Sequence, residues 1–284
     1  MRGVRCEMKV KRNLAITAIG LLLSIGVCSA QSGGINGDDI IRKANHMALY
    51  QGVDGKGRVT LVITDKQGRT RKREFNMLRR DEGESDMDQK YFVFFHEPAD
   101  IRKMVFMVHK HAEPGRDDDR WLYMPSLDLV KRIAASDKRT SFVGSDFLYE
   151  DISGRNPTED AHELITTTDM YYVLKNVPTN RANVEFEYYI AHIDKKTLLP
   201  MKIEYFKKDN RLYRVLESMK VTEIEADEDG KKVKYPTVFV SVARDLENGS
   251  KSEMTFSNVK YNIGLDDGIF SERYLRRPPK DAMQ

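Results

Sequence analysis

Apolar residues follow a helical spacing in one early segment and an alternating spacing through most of the chain after it. Ile40, Ile41, Ala44, Met47 and Ala48 form a single stripe, which predicts a helix over residues 38–50 capped by Asp38 or Asp39. From residue 57 the period shortens. Val59, Leu61 and Ile63 share one face of a strand over residues 57–64. Asp65-Lys66-Gln67-Gly68 turns that strand, and residues 69–78 run back. Residues 91–95 are apolar on both faces, as a strand covered on both sides must be, and Pro98 ends the run. Further strands are expected over residues 104–108, 120–124 and 127–133. Residues 141–152 read instead as a short helix or an irregular lid, with Phe142, Phe147, Leu148 and Tyr149 apolar.

The later half alternates more cleanly. Val184, Phe186, Tyr188 and Ile190 interleave with Glu185, Glu187 and Tyr189, which predicts one strand with the first set on its buried face. Strands over residues 201–206, 213–224, 233–242 and 251–261 follow, separated by polar turns that include Lys208-Asp209-Asn210 and Asn248-Gly249. Residues 270–275 are expected to pack as a terminal cap. Residues 117–119 and 153–160 read as loops inside one domain. Strands of about ten residues joined by short turns imply an up-and-down antiparallel meander. A sheet that large must curl, and either its own side chains or a ligand then fills the hollow.

The first thirty residues change the charge picture. Arg2, Arg5, Lys9, Lys11 and Arg12 precede an uncharged apolar run over residues 14–27, and Cys28-Ser29-Ala30 suits cleavage before Gln31. Basic, apolar, small is the order of a secretory signal, and the run is short for a membrane span. The expected organisation is a signal peptide over residues 1–30 and one domain over residues 31–284, with export to the periplasm. An uncleaved anchor, lipidation at Cys28 and a start at Met8 rather than Met1 are the alternatives. The whole chain carries 47 basic and 44 acidic residues. Five basic residues and Glu7 lie in the leader, which leaves 42 against 43 and no net field for nucleic acid. Both cysteines, Cys6 and Cys28, also lie there. Disulfides, thiol catalysis and cysteine metal sites are thereby excluded from the mature chain, apart from a lipidated Cys28.

Candidate chemistry is sparse. His109, His111 and Glu113 have the spacing that shares one strand face, so a metal is geometrically possible, but Pro114 and Gly115 point to a solvated strand end. Asp146, Glu150 and Asp151 cluster around Tyr149; a helical turn would bring Asp146 beside Glu150 as an acid–base pair. Their alternative roles are capping, or pairing with Arg132, Lys138 or Arg139. Asp117 to Asp119 lack the spacing of a calcium loop. Gly52, Gly55 and Gly57 open no helix and so make no phosphate loop. No nucleophile elbow, zinc-protease motif or P-loop is present. The reading is therefore a binding protein, not an enzyme, with no metal and no cofactor.

One stretch carries more than composition. Trp121-Leu122-Tyr123-Met124-Pro125, Arg132 and Ser141-Phe142-Val143-Gly144-Ser145-Asp146-Phe147-Leu148-Tyr149-Glu150-Asp151 resemble the outer-membrane lipoprotein-sorting proteins, a LolA-like family. The stretch Asp194-Lys195-Lys196-Thr197-Leu198-Leu199-Pro200-Met201-Lys202 is similar to that family's hairpin. The resemblance spans residues 38–275. It implies a mainly β fold: an unclosed antiparallel barrel, with an N-terminal helix and a short lid helix over an apolar concave face. It implies a periplasmic monomer that shields lipid or lipoprotein acyl chains on the way to the outer membrane, with an exporter of the resistance-nodulation-division type as partner. A sensor or accessory subunit of such an exporter, or of an envelope signalling complex, is the alternative. Met and aromatic side chains make adaptable walls for hydrocarbon. The candidates are Phe92, Phe94, Met104, Phe106, Trp121, Tyr123, Phe142, Phe147, Tyr149, Phe186, Tyr188 and Tyr205.

Overall fold

The structure is a computed structural model that describes residues 36–83 and 86–283. The expected leader, its cleavage site and Cys28 lie outside the described residues. Helix α1 (Gly37–Leu49) starts two residues earlier than an Asp38 cap would place it, because Asn36 caps it by accepting from the Asp38 amide at 3.3 Å. Asp38 and Asp39 sit in the first turn, where a carboxylate complements the helix dipole. Among the described residues, no helix is long and apolar enough to cross a membrane.

The chain then forms β1 (Asp54–Thr64), β2 (Thr70–Glu82), β3 (Asp88–Glu97), β4 (Val105–Lys110), β5 (Asp119–Met124) and β6 (Leu129–Arg132). After a long connection come β7 (Asp160–Thr167), β8 (Tyr171–Pro178), β9 (Tyr188–Asp194), β10 (Pro200–Phe206), β11 (Leu212–Glu228), β12 (Lys231–Asp245) and β13 (Ser250–Tyr261). All belong to one 13-stranded sheet in the order β6-β5-β4-β3-β2-β1-β13-β12-β11-β10-β9-β8-β7. Two antiparallel meanders are thus joined where β1 pairs with β13, Leu61 opposite Met254. The edges β6 and β7 do not pair, so the barrel stays open. Residues 133–159 carry the chain from one edge to the other across the concave face. They hold α2 (Tyr149–Ser153), the lid helix.

Three clusters fix this arrangement. The lid drives Phe142, Phe147, Tyr149 and Ile152 onto the concave side of β1 to β4, against Leu61, Phe75, Val93 and Phe106. Helix α1 lays Ile40, Ile41 and Ala44 against Leu174, Ala191, Ile193 and Tyr205 of the other meander. The convex side of β2 to β5 is covered by the C-terminal segment, which contains α3 (Arg273–Arg276) and α4 (Lys280–Met283). There Phe270 and Leu275 pack on Phe92, Met107 and Trp121. The buried Asp54 carboxylate accepts from the Ile263 and Leu265 amides at 2.7 and 2.6 Å and fixes where this segment leaves the sheet. Double coverage explains why β3 is apolar on both faces.

The structure corrects three expectations. The strands β7 and β8 were not anticipated. Their exposed positions carry no apolar alternation, because the edge strand β7 meets little beyond α1 and β8. The phase expected over residues 184–190 changes midway: Phe186 is buried, yet in β9 the buried face is Tyr189, Ala191 and Ile193, and Tyr188 points the other way. Asp146 is not on a helix, since α2 begins at Tyr149.

Candidate functional site

Helix α1 and the lid cover separate parts of the concave face and leave a gap between them. A cavity of about 320 Å³ occupies it. Met254 and Phe256 of β13 and Ile203 and Leu216 of β10 and β11 line its walls. Leu49 at the end of α1 and Phe147 and Ile152 of the lid close over it. Gly55 and Gly57 of β1 also border it, and they keep the floor low. A Cβ at Gly55 would come within 3.1 Å of the Tyr261 ring, and one at Gly57 within 3.4 Å of Val259. Glycine inside a strand marks a bulge or a close approach to the backbone, and here the β1–β13 register shifts between Lys56 and Arg58 while the Tyr261 ring crowds Gly55.

Charged groups near the cavity are held by other protein groups. Arg79 donates to the Leu49, Gln51 and Gly52 carbonyls at 2.6, 2.7 and 2.7 Å, satisfying the open end of α1 and tying it to β2. It also donates to Asp81. Burial pushes the Asp81 carboxyl up to about 6 against the opposing pull of Arg79 and Gln89.

The lid is tethered through an ionic network. Glu150, 3% exposed, pairs with Arg139 and lies 3.2 Å from Arg155 and 3.4 Å from Lys138. Arg155 also grips Asp160 of β7 through two bonds of 2.8 Å. Arg139 reaches Glu185 at 2.6 Å and lies over the Phe186 ring at 4.8 Å. Asp151 accepts from the Leu148 amide at 2.7 Å and pairs with Arg214 of β11. Asp146 accepts from the Ser250 and Ser252 hydroxyls at the start of β13. Each carboxylate of the cluster thus has its own partners. Burial raises the Glu150 carboxyl, but the three cations around it hold it below its usual range. Such a pair does little for net stability, yet losing one member of it is expensive.

The histidines do not converge. His109 contacts the Phe270 carbonyl at 2.7 Å and the Trp121 ring, whereas His111 lies between Asp88 and Asp119 at 2.9 and 3.2 Å. Glu113 faces Arg116 at 3.9 Å. Arg132 pairs with Asp119 and lies over the Trp121 ring.

The aromatic and Met candidates fall into three clusters, with Tyr188 outside all of them. Met104, Phe106, Phe142, Phe147 and Tyr149 belong to the core beneath the lid, and of the whole set Phe147 alone borders the cavity. Phe186 and Tyr205 pack in the core with α1. Phe92, Phe94, Trp121 and Tyr123 lie on the convex side under the C-terminal segment. Tyr188, opposite Phe206 in the ladder, stacks on that ring at 4.8 Å. The aliphatic lining and the two glycines of β1 were not among the candidates. The Gly-x-Gly spacing, which puts both on one strand face, was the available signal.

Known structures share this architecture. A DUF1329 family protein from Desulfovibrio piger is 26% identical, with 84% of this chain and 97% of that one covered at a TM-score of 0.74. A putative outer membrane lipoprotein-sorting protein domain from Vibrio parahaemolyticus is 23% identical, with 85% and 98% covered and a TM-score of 0.72. A LolA superfamily protein from Nitrosomonas europaea is 20% identical, with 84% and 99% covered and a TM-score of 0.58. A family model described as an uncharacterized protein matches residues 87–277, about two thirds of the chain. The chain belongs to the family of that model and shares the fold of the LolA-like proteins. No curated protein matches it. The span matched by the family model runs from the start of β3 through α3, so it includes the whole lid. The motif that carries the LolA-like resemblance, residues 141–151, is the segment that Asp146, Glu150 and Asp151 fasten to the sheet.

Proposed function

We propose that this LolA-like chain is a periplasmic carrier that takes up the acyl chains of a lipid or lipoprotein and moves them toward the outer membrane. The observation that carries the reading is the apolar cavity between α1 and the lid. Its volume is within the range of ~300–1,000 Å³ common to ligand sites. Each methylene buried there contributes about 0.8 kcal/mol, so ten give about 8 kcal/mol before the costs of ordering are subtracted. That supports binding weak enough for release, which a carrier requires. The glycine floor and the apolar walls of Ile203, Leu216, Met254 and Phe256 suit hydrocarbon, while Phe147 and Ile152 make the lid part of the wall. On this reading residues 1–30 are an export signal, residues 31–284 are the carrier, and an exporter of the resistance-nodulation-division type is the membrane partner of a monomer.

Lipid extraction from protein purified out of its native envelope, followed by mass spectrometry, tests this. About one acyl-bearing molecule per protein is expected, with a raised melting temperature when that lipid is added back. Protein that carries no lipid and gains no stability from any would end the carrier reading.

A further inference from the structure

A second cavity, of about 280 Å³, lies on the other flank of the lid helix, where Glu150, Gly154 and Arg155 face it. Its character is opposite to that of the first. Lys110, Arg116, Arg120, Lys138 and Arg155 line it, together with Asp117, Asp118, Glu150 and Glu159. Lys138 and Arg155 are already committed to Glu150 and Glu159. Lys110 and Arg120 are not. In the ladder Arg120 is opposite Val108, so Lys110, two residues on, is its diagonal neighbour on the same face. Both residues are 2% exposed. Two cations drawn out of water side by side repel one another; Asp118 bonds Arg120 Nη2 and accepts from the His111 amide, while Glu150 and Glu159 act on Lys110 from farther off. Lys110 Nζ has no carboxylate partner; it donates to the Ser153 carbonyl at 2.8 Å. Arg120 Nε and Nη1 are buried without a protein partner. Lys110 is thus left without a carboxylate in contact among the described residues, and Arg120 keeps N–H groups still to be satisfied beside a polar cavity.

We propose that this cavity is an anion site in which Arg120 and Lys110 hold a phosphate-type oxyanion behind the lid helix. The two unpartnered Arg120 nitrogens, Nε and Nη1, lie on different edges of the guanidinium and each offers a hydrogen to an oxyanion oxygen, while the Lys110 ammonium supplies a point charge. The anion supplies a partner in direct contact with Lys110 and with the unpartnered Arg120 nitrogens. Because Lys110 bonds the last residue of α2, an occupied site braces the lid from the side opposite the acyl cavity. The site uses none of the residues that line that cavity, so it stands apart from the carrier reading and either can fail without the other.

Isothermal titration of the full chain at constant ionic strength tests it, with inorganic phosphate, glycerol 3-phosphate and acetate as probes. Saturable phosphate binding is expected, at least tenfold tighter than acetate. Tighter glycerol 3-phosphate would assign the group to a lipid headgroup, and tighter inorganic phosphate to the free ion. Lys110→Met, which keeps the length of the buried stem, and Arg120→Met should each weaken phosphate at least tenfold and leave acyl-chain binding within twofold. Binding should also fade above pH 8: burial pushes the Lys110 ammonium down to about 8, with Asp118, Glu150 and Glu159 raising it and Arg120 lowering it. The absence of saturable binding by the unaltered protein overturns the proposal, and so does equal phosphate affinity in folded Lys110→Met.

Discussion

Over β2, β3 and β4 the concave face is occupied by the lid's own side chains, whereas over β1 and β10 to β13 it faces a cavity. In the occupied part Phe142 is wholly buried and meets four rings, Phe75, Phe95, Phe106 and Tyr149, at centroid distances of 5.9, 5.9, 5.6 and 5.5 Å. Several of these meet edge to face, the arrangement favoured by the ring quadrupoles. In the open part the sheet offers Gly55, Gly57, Ile203 and Leu216, and the last two are half-buried. The same curved sheet therefore carries a protein core and a hollow side by side. Coverage decides which is which, because α1 and the lid each bury what lies directly under them and neither reaches the strip between. The lid is held by the aromatic core on one flank and by Glu150, Asp151 and Asp146 on the other, so the hollow does not have to collapse to keep it in place.

The comparison is broken most directly by truncating one residue from each part. Phe142→Ala should cost about 3–5 kcal/mol, the range for removing a fully buried aromatic ring. Ile203→Ala should cost roughly 1 kcal/mol, because a half-buried side chain has less transfer free energy to lose. Urea denaturation of both variants measures the difference. Equal losses would mean that the strip under Ile203 is packed as tightly as the lid core. A further step sharpens the contrast. Gly57→Leu places a side chain on the cavity floor beside Val259 and Phe256. It should weaken binding of a fluorescent fatty acid at least tenfold, with a stability change of about 1 kcal/mol in either direction. Unchanged uptake by the folded variant would move the acyl site elsewhere.

Much of the architecture was readable in the sequence because strand alternation survives wherever one face is covered. The strands β1, β2 and β10 to β13 follow that rule, as the apolar stripe of α1 follows its own period, whereas β3 and β4 read as unbroken apolar runs because both faces are covered. It failed at β7, where the outward positions are charged or β-branched and burial is slight. It failed again between Phe186 and Tyr189, both buried but three residues apart, an interval that strict alternation does not allow. The site was less legible. Large rings fill space well, and most of the aromatic candidates fill cores on the two faces of the sheet. The hollow is bordered by other residues, among them Gly55, Gly57, Ile203, Leu216 and Phe256. The partners Lys138 and Arg139 of Glu150 were within reach of sequence reasoning, being eleven or twelve residues away. Arg214 was not, because a 63-residue separation from Asp151 leaves no local signal.

The smallest expected effect concerns acid. Burial raises the Glu185 carboxyl, but the Arg139 hydrogen bond and charge, with the Tyr213 hydroxyl, outweigh it and hold the group at about 2. A carboxylate whose folded value lies below its unfolded one stabilises the fold above the unfolded value, and loses that contribution as pH falls through the folded one. The window for Glu185 is therefore from about 4.5 down to about 2. The side chain is 39% exposed, so solvent screens the pair and the effect is modest. Asp81 works in the opposite sense, since its raised carboxyl takes up a proton in the folded state first, but it is present in both proteins and cancels from the comparison. Glu185→Gln should flatten the fall in urea midpoint between pH 5 and pH 3 relative to the unaltered chain. Arg139 keeps Glu150 in either protein, so the lid stays anchored and only the outer half of its tether is removed. Identical slopes would mean that Glu185 is not paired in solution and that the inner carboxylates alone fasten the lid.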